Sequence, residues 1–375
     1  MGEGRAWPCW SLVVLLVALL GVHTVYRVTN SAVNVTIFND DCFDAFAGIP
    51  DSSVDAVVTD PPYFLDQLAS DWSTDTGVNT TKNGQVSSLP AGMKFDPAQG
   101  RQFEAFMYKV SLEALRVLKP GGFFLSFSAP RLYHRLGVAV EDAGFNLRDM
   151  WSWLYTQNQV KAMSVRRFLN TEGLTKKQVA KLDAELSHWK TPQIKSCIEP
   201  ITCAQKPPEG TFLNNWMKHG VGLVDVAAKV GADSNMIPAN VMTTDLINDA
   251  FDKSFLVPKP SKAERGGTSH VSVKPLALMD QLVRLTTPAG ATVLDPFNGS
   301  GSTGISAVRT GRNYIGFELS PIYFKQTLSR FDAAFAPDGV TFDIDAAGTA
   351  TATVELDDRS PSADPEADPH NNNGM

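Results

Sequence analysis

Cysteine is scarce in this chain. Four occur in 375 residues, Cys9, Cys42, Cys197 and Cys203, and none stand in a C-x-x-C pair. That spacing offers neither a zinc site nor a disulfide framework and suits a reducing compartment. Histidine is also sparse, with six residues. No His/Cys cluster has metal-ligand spacing, so no metal is expected. His134, His188 and His219 read as ordinary surface or core residues, and no Ser/His/Asp arrangement of a hydrolase is present. There is no internal repeat, which excludes a solenoid or propeller. An overall positive charge is missing too, since the net charge is −7. That deficit is local. Residues 332–375 hold ten acidic residues against one basic residue, Arg359, and the remainder is close to neutral. Residues 148–206 carry ten Lys/Arg against five Asp/Glu. This stretch is compatible either with phosphate contact or with a solvated helical surface around Lys176-Lys177.

Charge is absent altogether from residues 6–26, counting His23 as neutral, and Leu12 to Leu20 are uniformly apolar. About 20 such residues suffice to span a bilayer. Arg5 before the run also resembles the start of a signal peptide, but no small-x-small cleavage site follows. The favoured expectation is a mis-assigned start, with translation from a later codon such as that of Val28, and a cytoplasmic protein. A real membrane anchor and a buried helix are the alternatives. Oligomeric state is not legible.

Beyond residue 33, apolar strand-like runs alternate with helical periodicity. Val35-Thr36-Ile37-Phe38 reads as a strand, followed by Asn39-Asp40-Asp41-Cys42 and a short helix to Ala47. Residues 54–59 form the next strand, 66–100 a polar loop, 103–118 a helix, 123–127 a buried strand, 130–143 a helix and 147–155 a strand. From 157 to 258 the alternation stops, apart from an amphipathic helix over 176–189. It resumes with helix 276–285, strand 292–294, helix 303–309, strand 314–317 and helix 321–331. Gly311 is placed to end one helix, and Ser320-Pro321 to begin the next. Alternation on both sides of an insert argues for an α/β fold with a mainly parallel, doubly covered sheet. The domains expected are an apolar extension (1–32), a first catalytic half (33–156), an inserted region (157–258), a second half that binds cofactor (259–331) and a disordered acidic tail (332–375).

Two stretches carry the chemistry. Asp60-Pro61-Pro62-Tyr63 ends the strand over 54–59. An exocyclic amine on a nucleobase is a poor nucleophile, because its lone pair is delocalised into the ring. Two acceptors for its protons favour a tetrahedral nitrogen whose lone pair faces an electrophile. Asp60 supplies a carboxylate, Pro61 a backbone carbonyl, the two prolines stiffen the turn, and Tyr63 can stack on an extruded base. A strand that merely ends in a Pro-Pro turn is the plainer reading. The second stretch is Asp295-Pro296-Phe297-Asn298-Gly299-Ser300-Gly301-Ser302-Thr303. Its glycines let backbone approach a ligand at a helix N-terminus. Glu318, at the end of Tyr314-Ile315-Gly316-Phe317, is placed to bind two ribose hydroxyls. A nicotinamide dinucleotide would suit the second stretch equally, but Asp-Pro-Pro-Tyr has no role in hydride transfer.

Together the two stretches resemble the amino-methylating DNA methyltransferases that use S-adenosylmethionine, the N6-adenine/N4-cytosine type. In their permuted (beta) group the catalytic motif precedes the cofactor motif, as here. His270-Val271-Ser272-Val273-Lys274-Pro275 is similar to that family's His-x-x-x-Lys-Pro segment, with Val271 where Pro usually follows the His. Asn39-Asp40-Asp41-Cys42 resembles its Gly-Asp-Cys start, with Asp40 in place of Gly. Residues 259–265 are similar to its link from insert to cofactor segment.

The resemblance covers about 35–331 and implies a class I, Rossmann-like methyltransferase fold, circularly permuted, with residues 157–258 as target-recognition region. It implies Asp60, Pro61, Pro62 and Tyr63 as catalytic. It implies Asp41, His270, Lys274, Asp295, Phe297, Gly299, Ser300, Gly301 and Glu318 as cofactor-binding, with Asp41 on the cofactor's adenine and the His270–Lys274 segment at its methionine end. The partner implied is DNA with a flipped target base, in a restriction-modification setting. Asp at the first motif position favours adenine. N4 of cytosine is the alternative, and a catalytically silent DNA-binding protein of the same fold is the alternative of a different class.

Overall fold

The computed structural model describes residues 31–63, 97–155, 164–166, 169, 173–190, 197–228, 240–242, 260–270, 272–335 and 340–356. The apolar run over 6–26, most of the expected polar loop over 66–100, parts of the insert, Val271 and the chain beyond 356 lie outside them. In chain order the strands are β1 (Ser31–Phe38), β2 (Val54–Thr59), β3 (Leu118–Phe127), β4 (Asn146–Leu154), β5 (Ile198–Gln205), β6 (Val241–Met242), β7 (Thr292–Asp295), β8 (Asn313–Phe317), β9 (Asp343–Ile344) and β10 (Thr349–Leu356). The helices are α1 (Cys42–Ala47), α2 (Pro97–Val117), α3 (Tyr133–Asp142), α4 (Lys176–Glu185), α5 (Phe212–His219), α6 (Leu276–Thr286), α7 (Ser302–Arg309) and α8 (Pro321–Ala334). Among the described residues no helix is long and apolar enough to cross a membrane.

All six residues of β2 are buried, as expected for a central parallel strand covered on both faces. The strands form one sheet in the order β6-β4-β5-β3-β2-β7-β8-β1-β10-β9. The run from β3 through β2, β7 and β8 to β1 is parallel. On one face Ile37, Val58, Leu125 and Val293 pack with Leu282 of α6, Ile305 of α7 and Phe331 of α8. On the other, Val57, Phe124, Leu294 and Phe317 pack with Phe46 of α1, Val110 of α2 and Leu136 of α3. From β7 the chain crosses through α7 to β8 on one side, whereas β2 leads through α2 to β3 on the other. The carboxyl ends of β2 and β7 therefore flank the crevice where strand order reverses, the preferred ligand site of open α/β sheets.

Two boundaries differ from expectation. The stretch 157–258 is not wholly an insert, because β5 lies in the sheet between β3 and β4, antiparallel to both. Pro200 interrupts its strand signature. The position is tolerated because Pro200 lacks only a donor, and its carbonyl accepts from Ser128 N–H at 3.0 Å. The tail is not uniformly disordered either. β10 pairs antiparallel with β1 over eight residues, from Ser31↔Leu356 to Phe38↔Thr349. Ala350 and Val354 are buried, and Thr351, Thr353 and Glu355 are exposed. The alternation is real, but its inward residues are mostly small, so it is muted in the hydrophobic pattern.

Candidate active site

The Asp295–Thr303 turn is held by its own polar groups. Asp295 is buried and accepts from Thr59 Oγ1 at 2.7 Å, Phe297 N–H at 3.0 Å and Thr303 Oγ1 at 2.7 Å. Burial pushes its carboxyl up to about 6, against the pull of those hydrogen bonds. Asp295 thus joins the end of β7 to the end of β2 and to the first turn of α7. Asn298 takes the Tyr314 hydroxyl at 2.8 Å and donates to Thr327 at 3.0 Å. Arg330 donates to the Ser300 carbonyl and, at 3.3 Å, to Ser302 Oγ. Gly299 and Gly301 have φ of +55° and +77°. A Cβ at Gly299 would sit 3.0 Å from the His270 ring, and one at Gly301 2.7 Å from Thr327. Both positions need glycine for conformation and for space. Phe297 lies beside the turn, its ring 5.8 Å from that of Phe106.

Glu318 ends β8 and is buried, accepting from Gly299 N–H at 2.7 Å and Ser320 N–H at 2.9 Å. Burial raises its carboxyl to about 7, with the two amides opposing. Each oxygen keeps a further lone pair for a ligand hydroxyl. The next strand is β1, whose end is stitched to Glu318 by Glu318 N–H to the Phe38 carbonyl (2.9 Å) and Asn39 Nδ2 to the Glu318 carbonyl (2.8 Å). Asp41 follows at once and caps α1 through Phe43 N–H at 2.9 Å. His270 closes the far side of the turn, edge-on to Tyr323 at 4.7 Å. Burial lowers its pKa to about 4, so the ring is neutral at ordinary pH.

Asp60 follows β2 and carries three donors: the hydroxyl of Tyr63, Ser272 Oγ at 2.5 Å and the ammonium of Lys274. Pro61 is buried, while Pro62 and Tyr63 are half-buried. Burial, then the Asp60 and Glu199 carboxylates, pushes the Tyr63 hydroxyl well above its ordinary range. Lys274 also contacts Ser272 Oγ at 2.9 Å and Glu199 at 3.2 Å, and lies 4.7 Å from the Phe127 ring centroid. Burial would lower its pKa, but the two carboxylates outweigh this and the net shift is upward. These contacts join Lys274 to the Asp60 motif.

Sequence reasoning missed Thr59, Ser272 and Glu199. Ser272 was inside a quoted segment, but nothing signalled that it meets a residue 212 positions away. Glu199 was hidden in the stretch read as insert. Among the described residues no group of three or more His, Cys, Asp or Glu could hold a metal, and Cys42, Cys197 and Cys203 are free thiols.

A family model described as DNA methylase, covering N6- and N4-methyltransferases, matches residues 54–329. The chain belongs to that family. Type II methyltransferase M.HindIII of Haemophilus influenzae is 27% identical over 298 residues, covering 75% of this chain and 90% of that protein. M2.DpnII of Streptococcus pneumoniae is 25% identical over 298 residues, covering 79% and 89%. The solved structure of the cytosine-N4-specific PvuII DNA methyltransferase is 19% identical, covers 81% of this chain and 87% of that one, and has a TM-score of 0.49. The methylase is a DNA amino-methyltransferase of class I fold, and S-adenosylmethionine is its cofactor. The positive-φ Gly299–Gly301 turn at the N-terminus of α7 and the buried Glu318 beside it fit a nucleoside-bearing group.

Proposed function

We propose that the methylase acts on N6 of adenine at a specific site in DNA, with the target base extruded from the duplex. The observation that carries this reading is Asp60, a carboxylate at the switch-point crevice, one strand from the cofactor turn and tied to it through Thr59 and Asp295. Adenine rather than cytosine is supported by Asp at that position, the residue commoner in the adenine-directed members that the motif resembles.

In this reading Glu318 takes the ribose hydroxyls and Asp41 the adenine amino group of the cofactor. Phe297, Gly299, Ser300 and Gly301 shape its pocket, and His270 borders the methionine end. Asp295 acts one step back, by fixing the turn. When bound, S-adenosylmethionine would supply an electrophilic methyl group, with sulfur as the leaving atom that keeps the bonding pair. Asp60 and the Pro61 carbonyl accept hydrogen bonds from the two amine N–H groups and aim the nitrogen lone pair at that methyl. The nitrogen gains a bond to carbon and sheds one proton to water, while Asp60 stays anionic. Tyr63 stacks on the base. Exposed Lys176, Lys177 and Lys181 of α4 are placed to meet phosphates.

Incubation with methyl-labelled S-adenosylmethionine and DNA, followed by digestion to nucleosides, tests the reading. Label in N6-methyldeoxyadenosine is expected. Label in N4-methyldeoxycytidine would move the target, and no label in DNA would defeat it.

A further inference from the structure

Asp60 has more partners than an acceptor of amine protons requires. Its carboxylate meets a buried ammonium, Lys274, which is also 3.2 Å from a second carboxylate, Glu199. Tyr155 donates to that second carboxylate at 3.4 Å. An acceptor and a cationic donor thus stand side by side where the target base must enter. Adenine and cytosine share one feature on their Watson–Crick edges, an amine donor next to a ring-nitrogen acceptor. Guanine and thymine present the opposite order, a carbonyl next to a ring N–H. An Asp60–Lys274 pair matches the first pattern and opposes the second, which would set carboxylate against carbonyl oxygen and ammonium against N–H.

Resting on the reading above, we propose that Lys274 donates a hydrogen bond to the ring nitrogen beside the target amine. It thereby reads the edge common to adenine and cytosine, and Glu199 is the positioning residue that holds the ammonium once Asp60 turns to the base. Glu199 is essential to this arrangement. When Asp60 gives its lone pairs to the amine, Lys274 would otherwise be a buried cation without a counter-ion, a costly state. Side-chain exposure falls in the required order, 6% for Lys274, 17% for Asp60 and 21% for Glu199. The cation is the most deeply buried of the three groups, and its two carboxylates are the more exposed.

The test is a cycle between enzyme and base. The methylated site is first mapped in DNA from a host expressing the full chain. Duplexes are then made with the natural target or its ring-nitrogen-free analogue, 1-deazaadenine, or 3-deazacytosine if the target proves to be cytosine. Loss of the ring nitrogen leaves the amine lone pair less delocalised, so a slower reaction cannot come from a weaker nucleophile.

The wild type is expected to methylate the analogue roughly 10- to 100-fold more slowly in a single turnover, the scale of one hydrogen bond to a charged group. Lys274→Met should be slow on the natural base and no slower on the analogue. Glu199→Gln should shrink the analogue's penalty and raise KM for DNA. Calorimetric binding of S-adenosylhomocysteine reports that each variant is folded. If Lys274→Met does not bind it, the Lys274→Met/Glu199→Gln double variant, which lacks both the donor and the second carboxylate, enters the cycle, and its penalty must shrink as well. An analogue methylated by the wild type at the natural rate overturns the proposal, as does a penalty that persists undiminished in the Lys274 variant. An unchanged penalty in Glu199→Gln removes Glu199 from it. A wild type that methylates no DNA would instead defeat the underlying reading, before any analogue is used.

Discussion

The two motif segments lie on neighbouring strands yet are built in opposite ways. In the 295–303 turn, Asp295, Asn298, Ser300 and Thr303 are buried, and their polar contacts run both within the turn and to neighbouring elements. The Asp60 segment is half-open, and its cationic partner has a second place to go, since Lys274 also reaches Glu199 and donates to Ser272 Oγ. Under the proposed mechanism, a turn that presents the same backbone to the cofactor in every cycle gains from rigidity, and a carboxylate that accepts a new partner in each turnover needs neighbours that can leave without stranding a charge.

Substitutions that act on one side alone would sharpen this contrast. The largest effect is expected from Asp60→Ala, with methyl transfer reduced at least roughly 10³-fold and S-adenosylhomocysteine binding little changed in a calorimetric titration. Comparable loss of that binding would place Asp60 in the cofactor pocket and collapse the distinction. Asp295→Ala should behave the other way, as a stability defect. It leaves Thr59, Thr303 and the Phe297 amide without their shared acceptor, and a loss of about 3 kcal/mol is expected in urea unfolding.

Glu318→Ala should weaken cofactor binding by about 2 kcal/mol with the fold retained. The same residue sets a pH dependence. With its carboxyl raised to about 7, Glu318 of the free protein takes up a proton as pH falls through 7. Cofactor hydroxyls prefer the anion, so affinity should decline from pH 8 to pH 6, and Glu318→Gln should flatten the curve. Stability has the opposite sign. Between about pH 4.5 and 7 the folded state holds a proton at Glu318 that the unfolded chain does not, so this group's contribution falls as pH rises across that window. The smallest effect is expected from Tyr155→Phe. It removes a long hydrogen bond to Glu199 and should cost under about 1 kcal/mol in kcat/KM.

What could be read in advance follows the same division. Asp60 and the 295–303 turn were legible because each ends an apolar strand and breaks into Pro or Gly at a fixed offset. Glu318 was legible because it ends the next strand. The supporting network was not, because Asp60, Glu199, Ser272 and Lys274 share no local pattern and come together only through the sheet order. β5 was obscured by Pro200 and Glu199 near its start. β10 was obscured because Ala350, Ala352 and the threonines give alternation with almost no hydrophobic contrast. The helices after Asp41 and Ser320 were easier, since both residues cap in the usual way, whereas α5, capped by Thr211, was missed in the stretch read as insert.

The hydrogen bond between Thr59 and Asp295 joins residues 236 positions apart, and it implies a schedule. During synthesis β2, which leads into Asp60, is made well before β7 and the turn that completes the crevice. Pairings of such long range also form slowly. A ribosome-bound chain stopped anywhere before β7 therefore has half an active site. The newly made methylase completes its crevice only once β7 and the turn after it have been made.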